Sequence, residues 1–147
     1  MTRIAREPLA RLVDQLARAL HSQGHEGGLF PAQWTALRYF RDATPPHNTT
    51  VALARYQGMA FGPTSRTVRT LIDKRLLRKT GSAGRGRLVG VELTEMGRAL
   101  LAADPLLVVA RALAGLPSNQ AEALALACEA ILGAIQSAKR QGADDDG

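Results

Sequence analysis

Gly58 separates two stretches of helical period, and that junction restricts the fold of this chain more than any other feature. Before it, Thr49 or Thr50 can cap a short helix through about Gln57 that carries Val51, Leu53 and Ala54. After it, the spacing predicts a helix from about Ala60 to Lys74 with Thr64, Val68, Leu71 and Ile72 as its inward stripe. The glycine supplies the left-handed residue of a tight turn, a conformation other residues reach only at a cost. At about 100° per residue, Gly62, Arg66, Arg69, Thr70 and Asp73 face away from the stripe. Pro63 is tolerable because it falls in the first turn, where its missing N–H had no partner. Two short helices joined this way, the second with arginine and threonine outward, form a helix-turn-helix.

The flanks extend the pattern. Leu9, Leu12, Val13, Leu16 and Leu20 recur at helical spacing between Pro8 and about Ser22, and Gly24, Gly27 and Gly28 end that segment. Another helix starts at Phe30-Pro31 with Trp34, Leu37 and Phe40 inward, and Pro45-Pro46 with Asn48 breaks the chain after it. From Leu76 the period falls to two. Leu77 to Thr80 and Leu88 to Leu93 read as strands around a loop from Gly81 to Arg87. Thr94 caps a helix reaching roughly Leu113, bent or interrupted at Asp104-Pro105. Pro117-Ser118 opens the last helix, whose apolar stripe is Ala121, Leu124, Ala127, Cys128, Ile131, Leu132 and Ile135. Gly142 to Gly147 is expected to be a disordered acidic tail. The fold class is therefore mainly α with a small β-hairpin. A chain of 147 residues fits a single domain with a real core, and no repeat or long linker divides it.

Charge is local. Nine of the nineteen Lys/Arg side chains lie from Arg55 to Arg87, where only Asp73 opposes them, a net +8 in a chain whose total is +6. A charged helix face is ordinarily no more than solvated. Beside a helix-turn-helix, such a patch is instead the footprint of a protein that binds a phosphate backbone. Sixteen of the basic residues are arginine, which suits bidentate contacts to phosphate and guanine, although a GC-rich genome gives the same bias. No run approaches the roughly 20 apolar residues of a membrane span, and Arg3, Arg6, Glu7 and Arg11 spoil a secretory leader, so a cytoplasmic protein without membrane contact is expected. Cys128, the single cysteine, excludes an internal disulfide and falls on an apolar stripe as a packing thiol. His21 and His25 are four residues apart, but glycines end the helix there and no third ligand has metal spacing. Neither a metal nor a cofactor is expected. Nor is an enzyme, since the chain has no phosphate loop, nucleophile elbow or paired carboxylates.

Three stretches in order, VALARYQGMAFGPTSRTVRTLIDKRLLRKT, GSAGRGRLVGVEL and LTEMGRALL, with Leu53-Ala54, Gly58, Ser65, Val68 and Leu71 in place, resemble the MarR family of bacterial winged-helix transcriptional regulators. The resemblance covers about residues 8–138. It implies a winged helix-turn-helix lobe at about 31–94, dimerisation helices at about 8–30 and 95–140, and the tail at 141–147. It also implies a homodimeric repressor on double-stranded DNA, with a pseudo-palindromic operator. Gly62, Pro63, Ser65, Arg66, Arg69, Thr70 and Lys74 would then meet the major groove, with either Arg66 or Arg69 reading guanine. Lys74, Arg78 and Lys79 fit backbone contacts or plain solvation equally well. Arg85 and Arg87, in the wing, would reach the adjacent minor groove or its phosphates.

Some positions depart from the family pattern. Family wings usually carry an Asp two residues before the tip arginine, where this chain has Arg85. Arg75 stands where the family favours a helix-ending glycine, which requires an unusual backbone angle or a different helix end. The redox-sensing branch carries its reactive cysteine near the N-terminal end, where this chain has none. A pocket for a small aromatic or acidic effector is implied around Leu12, Leu16, Trp34, Leu37, Arg38 and Phe40 with residues 100–108, each otherwise ordinary core. The terminal stripes fit packing on their own core as well as on a second copy. Two other functions suit the same sequence: a winged-helix interaction module that modulates another transcription factor or sensor, and a sequence-neutral nucleoid protein.

Overall fold

The computed structural model describes residues 5–82 and 89–145. Four helices come first: α1 (Arg6–Gln23), α2 (Pro31–Asp42), α3 (Thr50–Gln57) and α4 (Phe61–Asp73). A two-stranded antiparallel sheet follows, β1 (Leu77–Ser82) with β2 (Val89–Leu93). The chain continues through α5 (Glu95–Leu100), α6 (Leu107–Ala114) and α7 (Ser118–Asp145). It forms two units, residues 1–107 and 108–147.

The core of the first unit is built on α2. Trp34, Ala36 and Leu37 are fully buried there, against Leu53 of α3, Val68 and Leu71 of α4, and Val91 and Leu93 of β2. Each large apolar side chain so enclosed is worth about 1.5–3 kcal/mol relative to exposure. Capping fixes where the short helices begin and end. Thr49 Oγ1 accepts from Ala52 N–H at 3.1 Å, and Gly58 takes φ 64°. Along α4 the expected stripe faces inward, with Thr64, Val68 and Leu71 buried and Ile72 half-buried.

Arg75 resolves the two options its sequence position left. It adopts φ 62°, and the Leu76 N–H closes the turn on the Leu71 carbonyl at 2.9 Å. Thr94 holds the far side of the same joint. Its hydroxyl donates to the Arg75 carbonyl at 2.6 Å and accepts from Gly97 N–H at 3.1 Å, which starts α5. The strands pair Leu77 with Leu93 and Lys79 with Val91, then shift register before Ser82 meets Val89. Arg78 and Glu92, directly opposite, form an ion pair. Asn48 lies alongside β2, its carbonyl accepting from Val91 N–H at 2.8 Å. Leu88, expected in the second strand, lies outside the described residues.

One sequence expectation is resolved and another needs correction. Of the two outcomes expected at Asp104-Pro105, the helix beginning after Thr94 is interrupted and not bent: α5 gives way to a 3-10 turn at Leu101–Ala103, and α6 starts only at Leu107. Pro105 forces its predecessor out of helical geometry, and Asp104 accordingly sits at ψ 123°. The acidic tail is also more ordered than expected, since α7 runs through Asp145. Its last turns are rich in Ala, Gln, Lys and Arg, all good helix formers that carry the helix past Gly142.

No residue of α7 is buried. One 18-residue window within it has mean hydropathy 1.3, so by length and composition it reaches the threshold for crossing a membrane. The segment holds no unbroken apolar run, because Glu122 and Glu129 interrupt a stretch otherwise dominated by Ala, Leu and Ile.

Candidate nucleic-acid interface

The outward side of α4 presents two rows of residues at four-residue spacing. Phe61, Ser65 and Arg69 form one, and Gly62, Arg66 and Thr70 the other. Gly62, Arg66, Arg69, Thr70 and Lys74 are exposed, whereas Pro63 and Ser65 are half-buried. All seven residues expected on this face therefore reach one side of α4 or its two ends. Thr64 and Thr67 are turned to their own helix, donating to the carbonyls of Ala60 (2.9 Å) and Pro63 (3.2 Å).

Several arginines of the first unit outside this face are paired with acids. Arg11 pairs with Glu7, Arg18 with Asp14, Arg38 with Asp104 and Arg41 with Asp42. Arg66 and Arg69 make no hydrogen bond or ion pair among the described residues, so their guanidinium donors face solvent. A cavity of about 310 Å³ lies between α4 and the hairpin, lined by Ser65, Arg69 and Asp73 on one side and Lys79, Val89 and Val91 on the other. Arg85 and Arg87 lie outside the described residues.

The effector residues do not assemble as the sequence suggested. Trp34, Leu37 and Phe40 belong to the buried core, while Leu12 and Leu16 are exposed on α1. Of the six, Arg38 borders a cavity. That cavity, about 350 Å³, is lined by Ala17, Leu20 and His21 of α1, Pro31 and Thr35 of α2, and Pro105 and Leu106. Nor is Arg38 an unengaged cation. Its Nε and Nη2 each donate to Asp104 at 2.7 Å, and the same carboxylate accepts from Leu106 N–H at 2.8 Å. Burial alone would push the Asp104 carboxyl up. The Arg38 and Leu106 hydrogen bonds, with the charges of Arg38 and Arg41, outweigh it and hold the group below the usual carboxylate range. Periodicity could not show this pair, because its members are 66 residues apart.

On the other side of Arg38 is a wider groove of about 520 Å³ that includes Tyr39, Arg41, His47 and Tyr56. The two tyrosine rings lie 5.2 Å apart, and the Tyr39 hydroxyl donates to the His47 carbonyl at 2.7 Å. Burial, then the neighbouring Tyr56, raises the Tyr39 hydroxyl above its ordinary value.

A helix-turn-helix followed by a two-stranded hairpin packed on the same core defines a winged-helix protein. No family sequence model and no curated protein matches the chain. Solved structures do. A MarR/EmrR family transcriptional regulator from Acinetobacter sp. ADP1 shares 19% identity at TM-score 0.69, over 92% of this chain and 99% of that one. A probable transcriptional regulator from Pseudomonas aeruginosa shares 27% identity at TM-score 0.61, over 84% and 93%. A mutant of S. aureus MepR bound to an oligodeoxyribonucleotide shares 16% identity at TM-score 0.56, over 90% and 99%. The chain has the MarR-family winged-helix fold. The proteins it is similar to are transcriptional regulators and not enzymes.

Proposed function

We propose that this protein is a homodimeric regulator of transcription in the bacterial cytoplasm that binds a pseudo-palindromic operator with α4 in the major groove. The observation that carries the reading is the outward face of α4: Arg66 and Arg69 are exposed there and make no ion pair among the described residues, whereas Arg11 and Arg18 of α1 and Arg38 and Arg41 of α2 are each paired with an acid. A groove helix needs its donors unspent, because each bidentate arginine–guanine contact is worth about 1–3 kcal/mol of discrimination. Ser65, Thr70 and Lys74 supply phosphate or base-edge contacts, Gly62 and Pro63 let the helix end approach closely, and Arg85 and Arg87 extend the contact through the wing. The DNA-bound MepR mutant of the same fold supports this use of the lobe.

The exposed apolar faces of α1 and α7 supply the dimer surface. Repression by promoter occlusion, relieved by a small acidic or aromatic effector, is the regulatory reading. The cavity bordered by Arg38 and Leu106 is its candidate site, in place of the buried Trp34, Leu37 and Phe40. An effector carboxylate there would compete with Asp104 for Arg38.

Selection of genomic fragments by the purified protein, followed by gel shifts, tests the reading. A symmetric enriched site is expected, favoured over random duplex by about 10³ or more. Arg66→Ala or Arg69→Ala should lose about 1–3 kcal/mol of specific binding. Equal affinity for random duplex would instead indicate a nucleoid protein. Full specific binding by both variants would place the groove face elsewhere.

A further inference from the structure

Large apolar side chains stand in the open at the turn between α3 and α4: Tyr56, Met59 and Phe61. Tyr56 is engaged by Tyr39. Phe61 is distinguished by its place. It is the first residue of α4 and keeps 55% of its surface exposed. Because the Cα–Cβ bond of a helical residue tilts toward the N-terminus, its ring extends past the helix end. Gly62 follows, and a Cβ built there would meet nothing within 4 Å outside its chain neighbours, so the helix surface next to Phe61 is uncovered. Phe61 also heads the row that runs on through Ser65 and Arg69. An apolar ring thus leads a face that is otherwise polar and cationic.

The occupant must suit both characters. A purely apolar partner would leave Arg66 and Arg69 desolvated without counter-charge, which is costly. Duplex DNA meets both demands, with phosphates and guanine acceptors for the arginines and, on the same major-groove edge, the 5-methyl group of thymine for the ring. The N-terminal residues of a recognition helix are those that reach base edges. We infer that Phe61 is a specificity-determining residue that packs on a thymine methyl in each half-site, fixing an A·T pair beside the arginine-read positions. The inference rests on α4 being the groove helix.

The test uses the wild-type protein's enriched duplex, resynthesised with deoxyuridine replacing one thymine at a time, a change that removes only the methyl. One position per half-site is expected to weaken wild-type binding by about fourfold, the worth of one buried methyl. Phe61→Ala should lose dependence on that position and keep its dependence on the others, while Phe61→Leu, still apolar, should retain it. If the alanine variant does not fold, Phe61→Gln, polar and of comparable length, carries the same expectation of lost dependence. Unchanged thymine dependence in Phe61→Ala, or none in the wild type, overturns the inference while arginine-dependent binding persists. Absence of any sequence preference in the wild type, with Arg66→Ala no different, overturns the groove reading and this inference together.

Discussion

Asp104 shows how much a single side chain can hold in place. Its carboxylate is 5% exposed and accepts three hydrogen bonds, two of them from Arg38. Removing Arg38 would strand a buried charge, so Arg38→Ala should destabilise the fold by about 3 kcal/mol, read as a lower urea midpoint. The sign of the pH dependence follows from the depressed carboxyl. Stability from this pair is complete above the ordinary carboxylate value and is lost as pH falls through the lower folded value. Asp104→Asn should therefore flatten the acid limb of a stability–pH curve, and an unchanged limb would mean other carboxylates set it. Arg75 makes the opposite case, a strained residue. A left-handed arginine costs about 1–2 kcal/mol relative to glycine, so Arg75→Gly should raise the melting temperature. Arg38 was named in the sequence among the implied pocket residues, but nothing local pointed to Asp104 as its partner.

At the level of elements, the sequence was most legible where local chemistry decides the outcome. The Thr49 cap, the Gly58 turn, the α4 stripe and the strand at Val91 all follow from neighbours within a few residues. Legibility fell where a tertiary partner or a stop signal intervened. The break after α5 combines Pro105 with an Asp104 carboxylate drawn to α2, and the sequence showed only the proline. Gly97 is a second such position. A Cβ there would strike the Leu76 carbonyl oxygen where α5 crosses the start of β1. Gly97→Ala is expected to cost about 1–3 kcal/mol, measured by chemical unfolding, whereas alanine at the open Gly62 should leave stability nearly unchanged. The outward face of α4 was readable as a wheel of residues. That Arg66 and Arg69 make no ion pair among the described residues, while Arg11, Arg18, Arg38 and Arg41 do, needed coordinates.

At the scale of the whole molecule, both terminal helices carry exposed apolar side chains. Leu12 and Leu16 of α1 and Leu126, Leu132 and Ile135 of α7 remain at least half exposed, more than an isolated soluble subunit ordinarily tolerates in contiguous stripes. Leu132→Glu is expected to shift the protein from dimer to monomer in sedimentation, and a wild-type monomer at micromolar concentration would refute the homodimer. Half-site recognition should then fail even though each lobe stays folded, because two weak contacts no longer act together. One joint has a further consequence. A left-handed Arg75 redirects the chain from α4 into β1, and the Thr94 hydroxyl ties down its carbonyl. Helix α4 and the hairpin are thus joined through one pinned turn, so loosening it with Thr94→Val is expected to disturb the placement of both, read as faster amide exchange in α4 and β1 together.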